Sequence, residues 1–169
     1  MLKIINNLRP FFEDCYRRIN VREYSRLVGI SPPTASKTLF DYNKKGLLLI
    51  EKDRNYLFYY ANRDSDTFID LSRIYWKLKL KSLINFMSRN LTSPTIILFG
   101  SLSKAETKED SDVDICVFGY KKELTITKFE ADLKRKIQLF FFNSLQDIKN
   151  KELANNILNG YVLLGRLKL

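Results

Sequence analysis

The chain has 169 residues, 45% of them apolar, a net charge of +10 and no histidine. Without histidine there is no imidazole acid–base catalysis, no His-assisted nucleophile and little scope for zinc, so a base here is a carboxylate, a lysine, a tyrosine or water. No apolar run approaches the roughly 20 residues of a membrane helix, and the N-terminus mixes charge into every turn, unlike a signal peptide, so a cytoplasmic protein is expected.

Residues 2–18 carry Ile4, Ile5, Leu8, Phe11, Phe12, Cys15 and Tyr16 at helical spacing, which predicts one amphipathic helix with a kink or restart at Pro10. Cys15 and the distant Cys116 both lie on apolar stretches and read as buried free thiols. Asn20 is placed to cap a second helix over 21–28, with Glu23 three residues on as in a capping box, and Gly29 ends it. Ser31 is placed to cap a third helix, with Pro32 at its first position, running to about Lys45 and stopping at Gly46. Residues 47–51 and 56–60 then read as strands around a tight turn at 52–55.

Helix, glycine turn, helix, hairpin resembles a winged helix-turn-helix domain over residues 3–62. Leu27-Val28-Gly29-Ile30-Ser31-Pro32-Pro33-Thr34-Ala35-Ser36-Lys37 is similar to the turn and recognition-helix start of bacterial and archaeal regulators. Recognition helices meet bases with their first residues and phosphates with flanking cations. The candidate contacts to double-stranded DNA are therefore Ser31, Pro33, Thr34, Ser36 and Lys37, with Lys44 and Lys45 beyond. Lys52 and Arg54 at the wing tip could reach phosphate or the minor groove. Ala35, Leu39 and Tyr42 fit the core better. The alternative is that helix and wing hold another protein domain. Residues 1–92 carry 17 Lys+Arg against 9 Asp+Glu, and residues 93–169 carry 12 against 10. The basic excess thus lies in the first half, as a polyanion-binding module requires.

Residues 64–90 repeat apolar side chains at helical spacing, interleaved with Arg73, Lys77, Lys79 and Lys81. A long connecting helix is expected. Packing on its own chain, bridging between domains and homodimer formation all remain open for it. Thr92-Ser93-Pro94 reads as a boundary, giving domains at 1–62 and 93–169 joined by 63–92.

After Pro94 the pattern predicts strand (95–99), short helix or loop (102–109), strand (113–118), helix (about 127–135), strand (136–142), helix (145–158) and strand (161–164). The whole is an α+β chain whose C-terminal part is a mixed sheet with helices. Within it an apolar run ends in Gly100-Ser101, and after ten intervening residues comes Asp112-Val113-Asp114. Carboxylates two apart on a strand share one face. They repel unless a cation sits between them, and Mg²⁺ favours a few carboxylates plus substrate phosphates. A small Gly-Ser turn lets backbone N–H groups approach a phosphate. The alternative is a hairpin whose acids are merely solvated.

This segment, over residues 94–164, resembles the DNA polymerase β-like nucleotidyltransferase superfamily, most closely the minimal nucleotidyltransferases of antitoxin type. The resemblance implies that Gly100 and Ser101 hold the β- and γ-phosphates, that Lys104 neutralises triphosphate charge, and that Asp112 and Asp114 coordinate Mg²⁺. It implies Mg²⁺-dependent transfer of AMP from ATP to an acceptor hydroxyl, with a HEPN-type ribonuclease toxin as a possible protein acceptor. Ser111 fits the family, or is only a turn residue. The departure lies on the third strand, where Gln138 stands in place of the family's third acid. An amide can offer an oxygen to a metal but carries no charge and is no base. Three outcomes follow: weakened activity with Gln138 as a neutral ligand, activity completed by a partner, or nucleotide binding without turnover. Glu106, Glu109 and Asp110 are acids close in sequence that fit a solvated loop better. The competing class is a DNA-binding regulator whose nucleotidyltransferase fold senses nucleotide or dimerises. Nucleotide addition to an RNA end is the third possibility.

Overall fold

The computed structural model describes residues 3–167. The chain divides into two units: residues up to Tyr75 together with Ala105–Glu109, and Trp76–Lys104 together with residues from Asp110 onward.

The first unit opens with α1 (Lys3–Glu13), which buries Ile5, Leu8, Phe11 and Phe12. Leu2, the expected first residue, lies outside the described residues. The helix runs unbroken through Pro10 and stops at Glu13, short of Arg18. There Asp14 Oδ1 accepts the Tyr16 N–H at 2.9 Å, a local bond that competes with the helical one. A two-residue strand, β1 (Ile19–Asn20), follows; it is too short to leave a periodic signal.

Helix α2 (Val21–Val28) is capped by Asn20, whose Oδ1 accepts the Glu23 N–H at 3.0 Å. No bond returns from Glu23 to Asn20; its carboxylate pairs with Arg17 at 2.7 Å. Gly29 closes the helix at φ 72°, a left-handed conformation glycine adopts cheaply. Helix α3 (Pro32–Lys44) starts with Ser31 at the cap position, but the Ser31 side chain caps no backbone N–H. Pro33 removes one donor it would have served, and Ser31 Oγ instead bonds Thr34 Oγ1 at 2.8 Å. Strands β2 (Leu48–Asp53) and β3 (Tyr56–Ala61) form an antiparallel hairpin, and β1 adds to β3 to give the order β1-β3-β2. From α4 (Asp66–Lys79), Phe68 and Tyr75 set their rings 5.1 Å and 5.4 Å from Phe12.

The break between the units falls inside α4, and residues 92–94 lie within the second unit. The expected long connecting helix is two helices, α4 and α5 (Lys81–Asn90), interrupted at Leu80. Helical bonding nonetheless spans the interruption, with Leu80 N–H to Trp76 O at 2.8 Å and Ile84 N–H to Leu80 O at 2.9 Å.

The second unit holds a mixed sheet of β4 (Thr95–Phe99), β5 (Val113–Phe118), β6 (Ile137–Phe142) and β7 (Tyr161–Leu164) in the order β6-β5-β4-β7. Strand β5 runs antiparallel to β4 and parallel to β6. The parallel pair needs a crossover, which α6 (Thr127–Leu133) supplies. The helix expected over 145–158 is a 3₁₀ turn, Leu145–Asp147, followed by α7 (Lys151–Leu158). Asn150 resets the chain between them, its Oδ1 accepting the N–H groups of Glu152 and Leu153 at 2.9 and 3.0 Å. One core cluster unites Ile97, Phe99 and Cys116 with Ile148 and Ile157, and Phe140 packs against it.

Candidate active site

The ends of three adjacent strands carry the candidate residues of the second unit. Phe99 pairs with Asp114, and Asp114 with Gln138, so one row crosses β4, β5 and β6. Asp112 lies just before β5, two residues ahead of Asp114 and close enough for its charge to act on the Asp114 carboxyl.

The turn after β4 is fixed by Gly100, at φ 71° and ψ −154°. L side chains rarely adopt that backbone, and a Cβ at this position would run into Asp114 Oδ2. The conformation calls for glycine at 100, and a side chain there would also displace the Asp114 carboxylate. Its carbonyl accepts the Ser103 hydroxyl at 2.9 Å and the Ser103 N–H at 3.2 Å, which ties down the 3₁₀ turn Ser101–Ser103. Within that turn Leu102 and Ser103 are buried and Ser101 is half-buried. Lys104 Nζ donates to Asn156 Oδ1 on α7 at 2.8 Å. Nothing in sequence spacing pairs those two; only the return of α7 to the sheet does so.

Asp112 and Asp114 are half-buried. Burial first, and the negative charge of Asp112 second, push the Asp114 carboxyl above its usual value. Gln138 Nε2 donates to Asp112 Oδ2 at 2.7 Å. The main chain before Asp112 is also held: Arg135 Nη1 donates to the Ser111 carbonyl at 2.7 Å, and the Arg135 guanidinium lies 5.3 Å from the centre of the Trp76 ring. Sequence reasoning missed both Asn156 and Arg135. Arg135 stood only in a basic run, and Ser111 takes part through its carbonyl, which a sequence does not mark.

A divalent cation fits these residues. Two carboxylates on one face, one partly desolvated by burial and by its neighbour's charge, leave negative charge that a cation would offset, and the donors are the hard oxygens that Mg²⁺ takes. Among the described residues no third acid, cysteine or histidine joins them. Glu106, Glu109 and Asp110 are exposed, and Glu106 and Glu109 belong to the first unit. There the loop is anchored by Cys15 N–H to Thr107 O at 2.8 Å.

In the first unit, Ser31, Pro33, Thr34, Ser36, Lys37, Lys44, Lys45, Lys52 and Arg54 are all exposed, while Ala35, Leu39 and Tyr42 are buried. Ser31 to Lys37 begin α3, Lys44 and Lys45 end it, Lys52 lies on β2 and Arg54 in the hairpin turn at φ 52°. Lys44 Nζ lies 4.7 Å from the centre of the Phe40 ring.

The second unit thus sets a glycine turn against two carboxylates at the start of β5. The family model for polymerase beta nucleotidyltransferases matches residues 81–168, just over half of the chain, and the chain belongs to that family. No curated protein and no solved structure matches it. Among the described residues, no helix is long and apolar enough to cross a membrane.

Proposed function

We propose that the chain is a nucleotidyltransferase that moves AMP from ATP to an acceptor hydroxyl. The observation that carries this reading is the approach of Asp114 to the Gly100 turn, close enough that a side chain at 100 would displace its carboxylate, with Asp112 beside it. Gly100 and Ser101 take the β- and γ-phosphates, and Lys104, steadied by Asn156, offsets their charge. Asp112 and Asp114 hold Mg²⁺, with Gln138 able to turn its amide oxygen toward the ion. The ion supplies charge neutralisation at the phosphates and orients them. In the transfer, the hydroxyl oxygen bonds to the α-phosphorus as the bond to the bridging β-phosphate oxygen breaks. Pyrophosphate leaves and the proton passes to water, because the Gln138 amide cannot take it.

The first unit fits a winged helix-turn-helix: α2 and α3 joined at Gly29, then the β2–β3 hairpin as wing. Its exposed Ser31, Pro33, Thr34, Ser36, Lys37, Lys44, Lys45, Lys52 and Arg54 suit double-stranded DNA. Resemblance to minimal nucleotidyltransferases of antitoxin type implies a protein acceptor, a HEPN-type toxin, and a homodimer is compatible with the exposed apolar side chains Ile74 and Leu78 of α4. One contact favours a second reading, a regulator that binds nucleotide without turnover: the Gln138 amide donates to one oxygen of Asp112 and supplies neither charge nor base there.

Calorimetric titration of ATP with and without Mg²⁺, on wild type and on Asp112→Asn/Asp114→Asn, tests the first reading. Mg²⁺-dependent binding that disappears in the double variant supports it; no binding in wild type at any Mg²⁺ level overturns it. Gel shifts on the DNA upstream of the protein's own coding sequence test the second module. Unchanged affinity in Lys37→Ala/Arg54→Ala would sink the contact assignment.

A further inference from the structure

The first unit carries a cavity that neither the carboxylates nor the candidate DNA contacts use. Its volume is about 340 Å³, and it is lined by residues that follow α1, by the β2–β3 hairpin and by the turn after β3. All of these residues belong to the first unit. The size lies at the small end of ligand pockets.

Part of the lining is apolar. Leu49 and Tyr60 are cross-strand partners on the hairpin, and Ala61 follows Tyr60. Leu49 is 38% exposed, so an aliphatic surface stands uncovered at the cavity.

The charged part is unevenly matched. Arg18 pairs with Glu51 at 3.1 Å and sets its guanidinium 5.0 Å from the centre of the Phe58 ring. Glu51 therefore already has its counter-charge. The Arg63 guanidinium instead lies 4.1 Å from the centre of the Tyr16 ring. Among the described residues neither Arg63 nor Asp64, its neighbour in the lining, joins an ion pair. A guanidinium stacked on a ring keeps its planar fork of N–H donors, which fits a carboxylate through two parallel bonds. Lys108 Nζ, 5.4 Å from the centre of the same ring, adds positive charge beside it.

We infer that this cavity binds a free α-amino acid with an apolar side chain. The ligand's carboxylate meets Arg63, its ammonium meets Asp64, and its side chain covers Leu49 and Tyr60. An inorganic anion would answer Arg63 but repel Asp64, and a metal cation would do the reverse. Either would leave the apolar surface in water. A zwitterion with an apolar body answers all three features. The inference stands apart from the nucleotidyl-transfer reading, and no outcome of ATP binding alters it.

The test is calorimetric titration of the full chain with L-leucine and L-phenylalanine. N-acetyl-L-leucine, which lacks the ammonium, and L-leucinamide, which lacks the carboxylate, are titrated beside them. Each blocked form is expected to bind at least about tenfold more weakly, the worth of one hydrogen bond between charged groups. Arg63→Ala should weaken L-leucine about tenfold and bring it level with L-leucinamide. Asp64→Asn should bring L-leucine level with N-acetyl-L-leucine, a pattern that general damage to the fold would not give. Arg22→Ala removes an exposed cation of α2 outside the cavity and should change binding less than about twofold. Failure of both amino acids to bind at millimolar concentration overturns the inference. So does equal binding of the blocked and free forms by wild type, or binding of L-lysine and L-glutamate as tight as that of L-leucine. Equal weakening by Arg22→Ala and Arg63→Ala would also overturn it.

Discussion

Gln138 Nε2 donates to Asp112 Oδ2 at 2.7 Å, while Gln138 pairs in register with Asp114 on the neighbouring strand. One amide therefore touches one carboxylate and flanks the other. A third acid at 138 would add negative charge to a face where Asp114 is already pushed up by burial and by Asp112. The amide does the reverse: it donates to one oxygen of Asp112 and adds no charge.

Gln138→Glu exchanges that donor for an acceptor. The metal-free variant is expected to lose about 1–2 kcal/mol through the missing bond and the added repulsion. Saturating Mg²⁺ should recover most of the loss, because three carboxylates bind the ion more tightly than two. Thermal unfolding of both proteins with and without Mg²⁺ checks this, and a variant destabilised equally in both conditions would count against a metal between the strands.

Asp114→Asn carries a pH signature. The folded-state pKa of Asp114 lies above its ordinary value, so the folded protein holds that proton more tightly than the unfolded chain does. Stability from this group is present at low pH and is lost as pH rises through the folded value. At neutral pH the asparagine variant, free of the penalty, should melt above wild type, and the gap should close as pH falls through the carboxylate range. A gap that widens on acidification would contradict the assignment.

The site was legible in part. Gly100, Asp112 and Asp114 follow from strand alternation and from the Gly-Ser turn, both local rules. The helix starts at Asn20 and Ser31 were placed by cap chemistry, yet Ser31 makes no side-chain cap: Pro33 lacks one of the N–H groups it could serve, and Ser31 Oγ bonds Thr34 Oγ1 instead. Leu80 gives no signal for the interruption between α4 and α5, and we have no physical account of it. The bonds from Arg135 to Ser111 and from Lys104 to Asn156 join residues 24 and 52 apart. Sheet order sets such pairs, and no local pattern encodes it. That Ala105–Glu109 packs within the first unit was likewise hidden, since the loop looks merely polar in sequence.

Lys134 offers a prediction in stability alone. It caps α6 in the left-handed region at φ 55°, which glycine adopts without the Cβ penalty. Lys134→Gly should stabilise the fold by roughly 1 kcal/mol in denaturant unfolding, less any entropy lost to a more flexible unfolded chain.

The two cysteines give the last test. Burial pushes the Cys15 thiol up to about 11 and the Cys116 thiol up to about 12. Thiolate is the reactive form, and at pH 8 almost none exists at either position. Cys116 sits inside the cluster of Ile97, Phe99, Ile148 and Ile157 on the face that carries Asp114. Neither thiol should react with a disulfide reagent in the native protein, and both should react on unfolding. Because reagent can reach Cys116 only when that core opens, its labelling rate reports the opening of the second unit. ATP with Mg²⁺ should slow labelling at Cys116 if nucleotide binds that unit. An unchanged rate at saturating ATP would place the nucleotide elsewhere or nowhere on the chain.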